Sequence, residues 1–183
     1  MRATTTRVLV AGIGNVFLGD DGFGVEVARQ LMRAPVPPGV TVVDVGIRAL
    51  HLAYELLDPP ELLLIVDAVS RGQPPGTLYL IDIDVGSDGQ ADPGADADGM
   101  SDVLGDAHGI TVSSVLATLR ALGGTPPRTR LVGCEPAFVG AAMELSPIVA
   151  ASVPHALTMV TEAMREERRD EEAHRMANAG PEA

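Results

Sequence analysis

Residues 8–24 read Val8-Leu-Val-Ala-Gly12-Ile-Gly14-Asn-Val-Phe-Leu-Gly-Asp20-Asp-Gly-Phe-Gly24. The first five residues are uniformly apolar or small, too much so for a strand with one wet face, and predict a strand buried on both sides. The run ends in Gly12-Ile-Gly14-Asn15, and two adjacent acids follow before an apolar helical pattern begins. Open α/β sheets build their sites past the C-terminal ends of their strands. Acids at that position point to metal or acid–base chemistry rather than to phosphate binding.

The pattern repeats outward from this stretch. A helix starts at Asp20 or Asp21 and runs to about Met32, with Val25, Ala28 and Leu31 on one face. Acids in its first turn suit the helix dipole. Val40–Val45 is a second strand, and Arg48–Leu57 a helix with Leu50, Ala53 and Leu57 inward, stopped by Asp58-Pro-Pro. Leu62–Asp67 is a third strand, apolar until its last residue, and Thr77–Ile83 a fourth. Thr111–Leu122 reads as a helix with Val112, Val115, Leu116 and Leu119 inward, ended by Gly123-Gly124. Arg130–Cys134 is the fifth strand. Ser146 as cap and Pro147 as first helical residue open the last helix, which runs toward Arg165 with a break at Pro154. Strands alternate with helices, so the expected fold is α/β, a single three-layer α/β/α domain around a twisted, mostly parallel five-stranded sheet (phosphorylase/hydrolase-like). Residues 1–165 form that domain. Residues 84–106, made of Asp, Gly, Ala and Ser, read as an acidic mobile loop within it, and 166–183 as a charged, frayed tail.

Composition narrows the function classes. The chain has 183 residues with a net charge of −12, and all 13 of its basic residues are Arg. That balance argues against nucleic acid or an anionic membrane as partner. No apolar run approaches the roughly 18–20 residues of a membrane span, and the N-terminus has no secretory pattern. A cytoplasmic protein without membrane insertion is expected. The lone Cys134 can form no internal disulfide and no Cys-rich zinc site; it reads as a small apolar residue at a strand end.

Three polar residues stand out by position: Asp21 after strand one, Asp67 at the end of strand three, and His108 between the acidic loop and a helix. Two carboxylates and an imidazole form a plausible site for a borderline divalent metal such as Ni²⁺ or Zn²⁺. Each also has an ordinary structural reading: Asp21 as a helix N-terminal acid, Asp67 as a turn cap, His108 as a surface residue. His51, His155 and His174 lack such a context and read as structural or exposed. A dinucleotide site is disfavoured. The third glycine of its fingerprint would be Phe17, and the acids would repel a pyrophosphate, although Asp44 lies where a ribose-binding acid would. Neither a Gly-x-Ser-x-Gly elbow nor a His-Glu-x-x-His motif occurs.

Taken together, these residues resemble the [NiFe]-hydrogenase maturation proteases over about residues 7–160. The resemblance is carried by Gly12-Ile-Gly14-Asn15, Asp20-Asp21-Gly22-x-Gly24, Asp67-Ala68, Pro75-Gly76-Thr77, His108-Gly109, Gly133-x-x-Pro136 and Leu145-Ser146-Pro147-x-Val149. It implies an endopeptidase that trims a C-terminal extension from a hydrogenase large-subunit precursor after nickel insertion. Asp21, Asp67 and His108 would be the catalytic and metal-contacting residues. Asn15, Asp20, Asp44 and Gly46 would be substrate contacts. The nickel would come with the precursor, Zn or Cd would substitute for it in the site, and no organic cofactor is implied. Where many members carry Asp-Gly-Gly-Thr, this chain has Asp44-Val45-Gly46-Ile47, and Asp21 stands where some relatives have Glu. A nonenzymatic metal- or precursor-binding chaperone of the same fold is the alternative.

Overall fold

The computed structural model describes residues 8–85 and 112–178. His108 and all of the acidic segment beyond Val85 lie outside the described residues. The strands are β1 (Val8–Ile13), β2 (Val40–Gly46), β3 (Leu62–Ala68), β4 (Leu78–Ile83) and β5 (Arg128–Cys134). The helices are α1 (Phe23–Leu31), α2 (Ala49–Glu55), α3 (Val112–Ala121) and α4 (Pro147–Asn178), and a 3₁₀ turn, Asp20–Gly22, precedes α1.

One five-stranded sheet runs in the order β2-β1-β3-β5-β4. The pairs β1–β2, β1–β3 and β3–β5 are parallel, and β4 is antiparallel to β5. A two-residue period sorts the core onto the two faces of the sheet. Val8, Val10, Leu62, Leu64, Val66 and Val132 meet Phe23, Val27 and Leu31 of α1 and Val149, Val153 and Val160 of α4. Leu9, Ala11, Ile13, Leu63, Ile65 and Leu131 meet Leu52 and Leu56 of α2 and Val115, Leu116 and Leu119 of α3. The result is the three-layer α/β/α architecture that the alternation of elements predicts.

Three local expectations change. On α2, Leu50 and Leu57 are exposed, whereas Leu52, Ala53 and Leu56 are buried. The stripe is i, i+1, i+4 and leaves the helix-end leucines outside. The last helix does not break at Pro154, which sits inside it, nor does it stop near Arg165. Glu166 and Glu167, beyond that point, pair with Arg130 and Arg128 of β5 at 3.1 and 2.7 Å and tie the helix to that strand. Ser146 does not cap α4 with its hydroxyl, which is turned onto Asp20.

Strand order decides where a site can form. From β1 the chain moves to β2 on one side, and the next strand, β3, is inserted on β1's other side. The C-terminal ends of β1 and β3 therefore flank a topological switch point, where open α/β sheets leave a crevice. Asp67 is the penultimate residue of β3, and Asp21 lies in the turn that follows β1.

Candidate active site

Close approach explains the glycines around the switch point. A Cβ on Gly12 would lie 2.2 Å from the carbonyl oxygen of Gly24, and one on Gly14 would lie 1.8 Å from that of Asp21. A Cβ on Gly24 would lie 2.0 Å from the carbonyl oxygen of Val66 and 2.4 Å from that of Ile13. Only bare backbone lets the start of α1 press onto the ends of β1 and β3. That contact carries Asp21 to the strand ends, and the 3₁₀ turn that holds it packs against β3.

The Asp21 carboxylate is oriented by the backbone: Asn15 N–H donates to its Oδ2 at 2.6 Å. The side-chain Oδ1 of Asn15 in turn accepts from Phe17 N–H at 3.0 Å, which shapes the same loop. Asp67, half-buried, accepts from Ala68 N–H through Oδ1 at 2.8 Å. On the other side of β1, Gly12 pairs with Asp44 and Ile13 with Gly46, so a bulge falls at Val45. Gly46 has φ +56°, and its carbonyl accepts from Gly14 N–H at 3.2 Å. The Asp44 carboxylate is paired with Arg29 of α1 at 2.9 Å, while Arg48 donates to the Asp44 carbonyl. Asn15, Asp21, Asp44, Gly46 and Asp67 thus share one end of the sheet. Among the described residues no three His, Cys, Asp or Glu side chains converge to hold a metal, and His108 lies outside them.

Asp20 has a different placement from its neighbour. Rather than facing the crevice, it is fully buried. Its Oδ2 accepts from Ala137 N–H (2.8 Å), Phe138 N–H (2.9 Å) and Ser146 Oγ–H (2.9 Å), and its Oδ1 from Ser146 N–H (2.6 Å). In this conformation its acceptor sites are committed to the protein.

Glu135, which the sequence reading did not single out, is the counterpart of Asp20 on the far side. It is buried at the end of β5 and accepts from Arg71 N–H (2.8 Å), Gly72 N–H (3.1 Å) and Tyr79 Oη–H (2.6 Å). These bonds fasten the loop that follows Asp67. An acid at the end of a buried strand was the available signal, the same one that marks Asp67. Burial pushes the Glu135 carboxyl up, but the Tyr79 hydroxyl and the amides of Arg71, Gln73 and Gly72 outweigh it, and the net value is lowered. Burial and the Glu135 hydrogen bond push Tyr79 up to about 12. A depressed carboxyl contributes stability that is fully present above its ordinary value of 4.5 and is lost as pH falls through the folded value. The melting temperature is therefore expected to drop on acidification below about pH 4.5, and Glu135→Gln is expected to flatten that limb; thermal melts across the acid range check it.

Cys134 is buried, and its thiol is pushed up to about 12, first by burial and then by the charge of Asp20. Such a thiol is a packing residue and not a nucleophile. His51 is exposed and pairs with Glu55 at 3.2 Å, and His155 is exposed. No described helix is long and apolar enough to cross a membrane.

Known proteins resemble this chain over most of its length. The family described as "Hydrogenase maturation protease" matches residues 25–90, a span that holds Asp44, Gly46 and Asp67 and begins just past Asp21. The "Hydrogenase 2 maturation protease" of Escherichia coli is 30% identical over 162 residues, 87% of this chain and 92% of that protein. The "Hydrogenase expression/formation protein HupD" of Rhodobacter capsulatus is 36% identical over 164 residues, 88% of this chain and 71% of that one. The chain spans 62% and 59% of the length of two further HupD relatives. The solved structure of the hydrogenase maturating endopeptidase HybD from E. coli superposes with a TM-score of 0.70 at 27% identity, covering 88% of this chain and 93% of that one. A sheet whose switch point carries two strand-end acids, and sequence likeness over nearly the whole of a maturation protease, lead to one conclusion: this chain belongs to the hydrogenase maturation protease family, a family of peptidases.

Proposed function

We propose that this protein is an endopeptidase that removes a C-terminal extension from a [NiFe]-hydrogenase large-subunit precursor after nickel insertion, and that the nickel carried by the precursor is its recognition element. The observation that carries the reading is the pair Asp21 and Asp67 at the C-terminal ends of neighbouring strands β1 and β3, in a chain that belongs to this family. A cation is favoured beside two carboxylates held at neighbouring strand ends. A precursor that brings its own cation completes the site, and an unloaded one does not. Asp21 and Asp67 contact the nickel, with His108 as the third contact. Nickel held by Asp21, Asp67 and His108 would polarise the scissile carbonyl, with a carboxylate positioning the attacking water or itself taking that water's proton. Asn15, Asp44 and Gly46 line the crevice for the peptide. Zn or Cd substitutes for nickel in the site, and no organic cofactor takes part. The work is done in the cytoplasm.

Product mass separates this reading from that of a chaperone which binds the precursor without cutting. A peptidase shortens the precursor at its C-terminus and releases a peptide. Stable binding with an unchanged precursor mass would assign the chaperone role instead.

A further inference from the structure

The chain between β5 and α4, residues 136–146, lies along the first loop as a strap. Gly19 N–H donates to the Ala142 carbonyl at 2.9 Å, Asp20 N–H to the Phe138 carbonyl at 3.0 Å, Gly140 N–H to the Leu18 carbonyl at 3.2 Å and Ala142 N–H to the Phe17 carbonyl at 3.2 Å. Short bridges pair Leu18 with Ala142 and Gly19 with Val139. At the centre of this joint sits the buried Asp20 carboxylate with its four donors. Asp20 is the residue before Asp21, and both belong to the same one-turn 3₁₀ segment.

We propose that Asp20 is a positioning residue, whose buried carboxylate locks the 136–146 strap onto the first loop and thereby sets where the Asp21 carboxylate stands. Three backbone amides and a hydroxyl from a segment more than a hundred residues away converge on one side chain. The Phe138 ring closes the joint from outside. A Cβ on Gly19 would lie 3.0 Å from the Phe138 carbonyl oxygen and 3.2 Å from its Cδ1, and Gly19 has φ +66°. Asp20 and Asp21 are adjacent in this one turn, so whatever fixes the Asp20 carboxylate fixes the backbone from which Asp21 reaches Asn15 N–H. For catalysis the inference rests on the peptidase reading; for geometry it stands alone.

Two variants and two readouts test it. Asp20→Asn keeps the shape but has one acceptor oxygen, so its NH₂ must face at least one of the donor groups whichever way it turns. Gly19→Ala pushes the strap away without touching either acid, and it decides the matter if Asp20→Asn fails to fold. The first readout is the Asn15 amide resonance in ¹⁵N-labelled protein. That amide touches Asp21 and not Asp20, so it reports where the Asp21 carboxylate is. The inference expects it to shift in both variants, together with the amides of Ala137, Phe138 and Ser146. The second readout is precursor cleavage at a temperature where the variant is folded, with kcat expected to fall about 100-fold and KM to stay within about threefold. An Asn15 resonance that stays in place while the strap amides move would overturn the inference, as would an unchanged kcat. Should the unmutated protein cleave no precursor, the peptidase reading falls, and the Asn15 resonance still decides the positioning role.

Discussion

Asp21→Asn is expected to slow precursor cleavage roughly 10²–10⁴-fold, the range for loss of a positioned acid–base group, and to leave the protein folded. The substitution keeps the shape of the side chain, and the oxygen of the new amide can still accept from Asn15 N–H, the 2.6 Å bond that orients the carboxylate. What is lost is the negative charge at the end of β1, which is the property a metal-contacting or proton-accepting group needs. Asp67→Asn is expected to behave alike, because its bond from Ala68 N–H also needs only one oxygen. The double variant is expected to be little worse than either single one, since groups that act as a unit do not add. Initial cleavage rates, set beside thermal melts of each variant, check this. Near-normal rates in a folded Asp21→Asn protein would remove Asp21 from the chemistry.

Gly24→Ala is expected to be strongly destabilising. Its Cβ would stand 2.0 Å from the Val66 carbonyl oxygen and 2.4 Å from that of Ile13. Both oxygens belong to the backbone of the sheet's buried centre, where strands β1 and β3 pair, so neither can retreat cheaply. Helix α1 must move instead, and with it the Asp20–Gly22 turn. Overpacking of this kind costs up to about 3 kcal/mol or more, which for a chain of this size lowers the melting temperature by roughly 6–12 °C. Gly72→Ala is the control. It has φ +73° but no atom within 4 Å of the added carbon, so only backbone strain of about 1 kcal/mol is expected. Equal melting temperatures for the two variants would contradict the close-approach account of these glycines.

What the sequence disclosed and what it hid have physical reasons. Strands β1 and β3 were legible because both faces are buried, and unbroken runs of Val, Leu and Ile have few other uses. The inward face of α3 was legible because Val112, Val115, Leu116 and Leu119 keep helical spacing, and all four are buried. On α2, by contrast, five of seven residues are apolar, so periodicity could not choose the face, and packing against the sheet selected Leu52 and Ala53. The antiparallel direction of β4 depends on a short connection that no periodicity encodes. The placement of Asp67 and Asp21 at one end of the sheet was legible because Asp67 closes an apolar strand and Asp21 lies in the turn after one. The use of Asp20 was not, since its donors lie 117 to 126 residues away along the chain. Glu135 was hidden for the same reason: its partners, residues 71, 72 and 79, are distant in sequence and mostly offer backbone amides.

The dependence of cleavage on nickel tests the central claim most directly. A large-subunit precursor is prepared with and without nickel, each form is incubated with this protein, and intact masses are followed with time. The account predicts loss of a C-terminal peptide from the loaded precursor and an unchanged mass for the unloaded one. Equal cleavage of both forms would contradict it, because the acids would then be cutting without the cation that is held to complete their site.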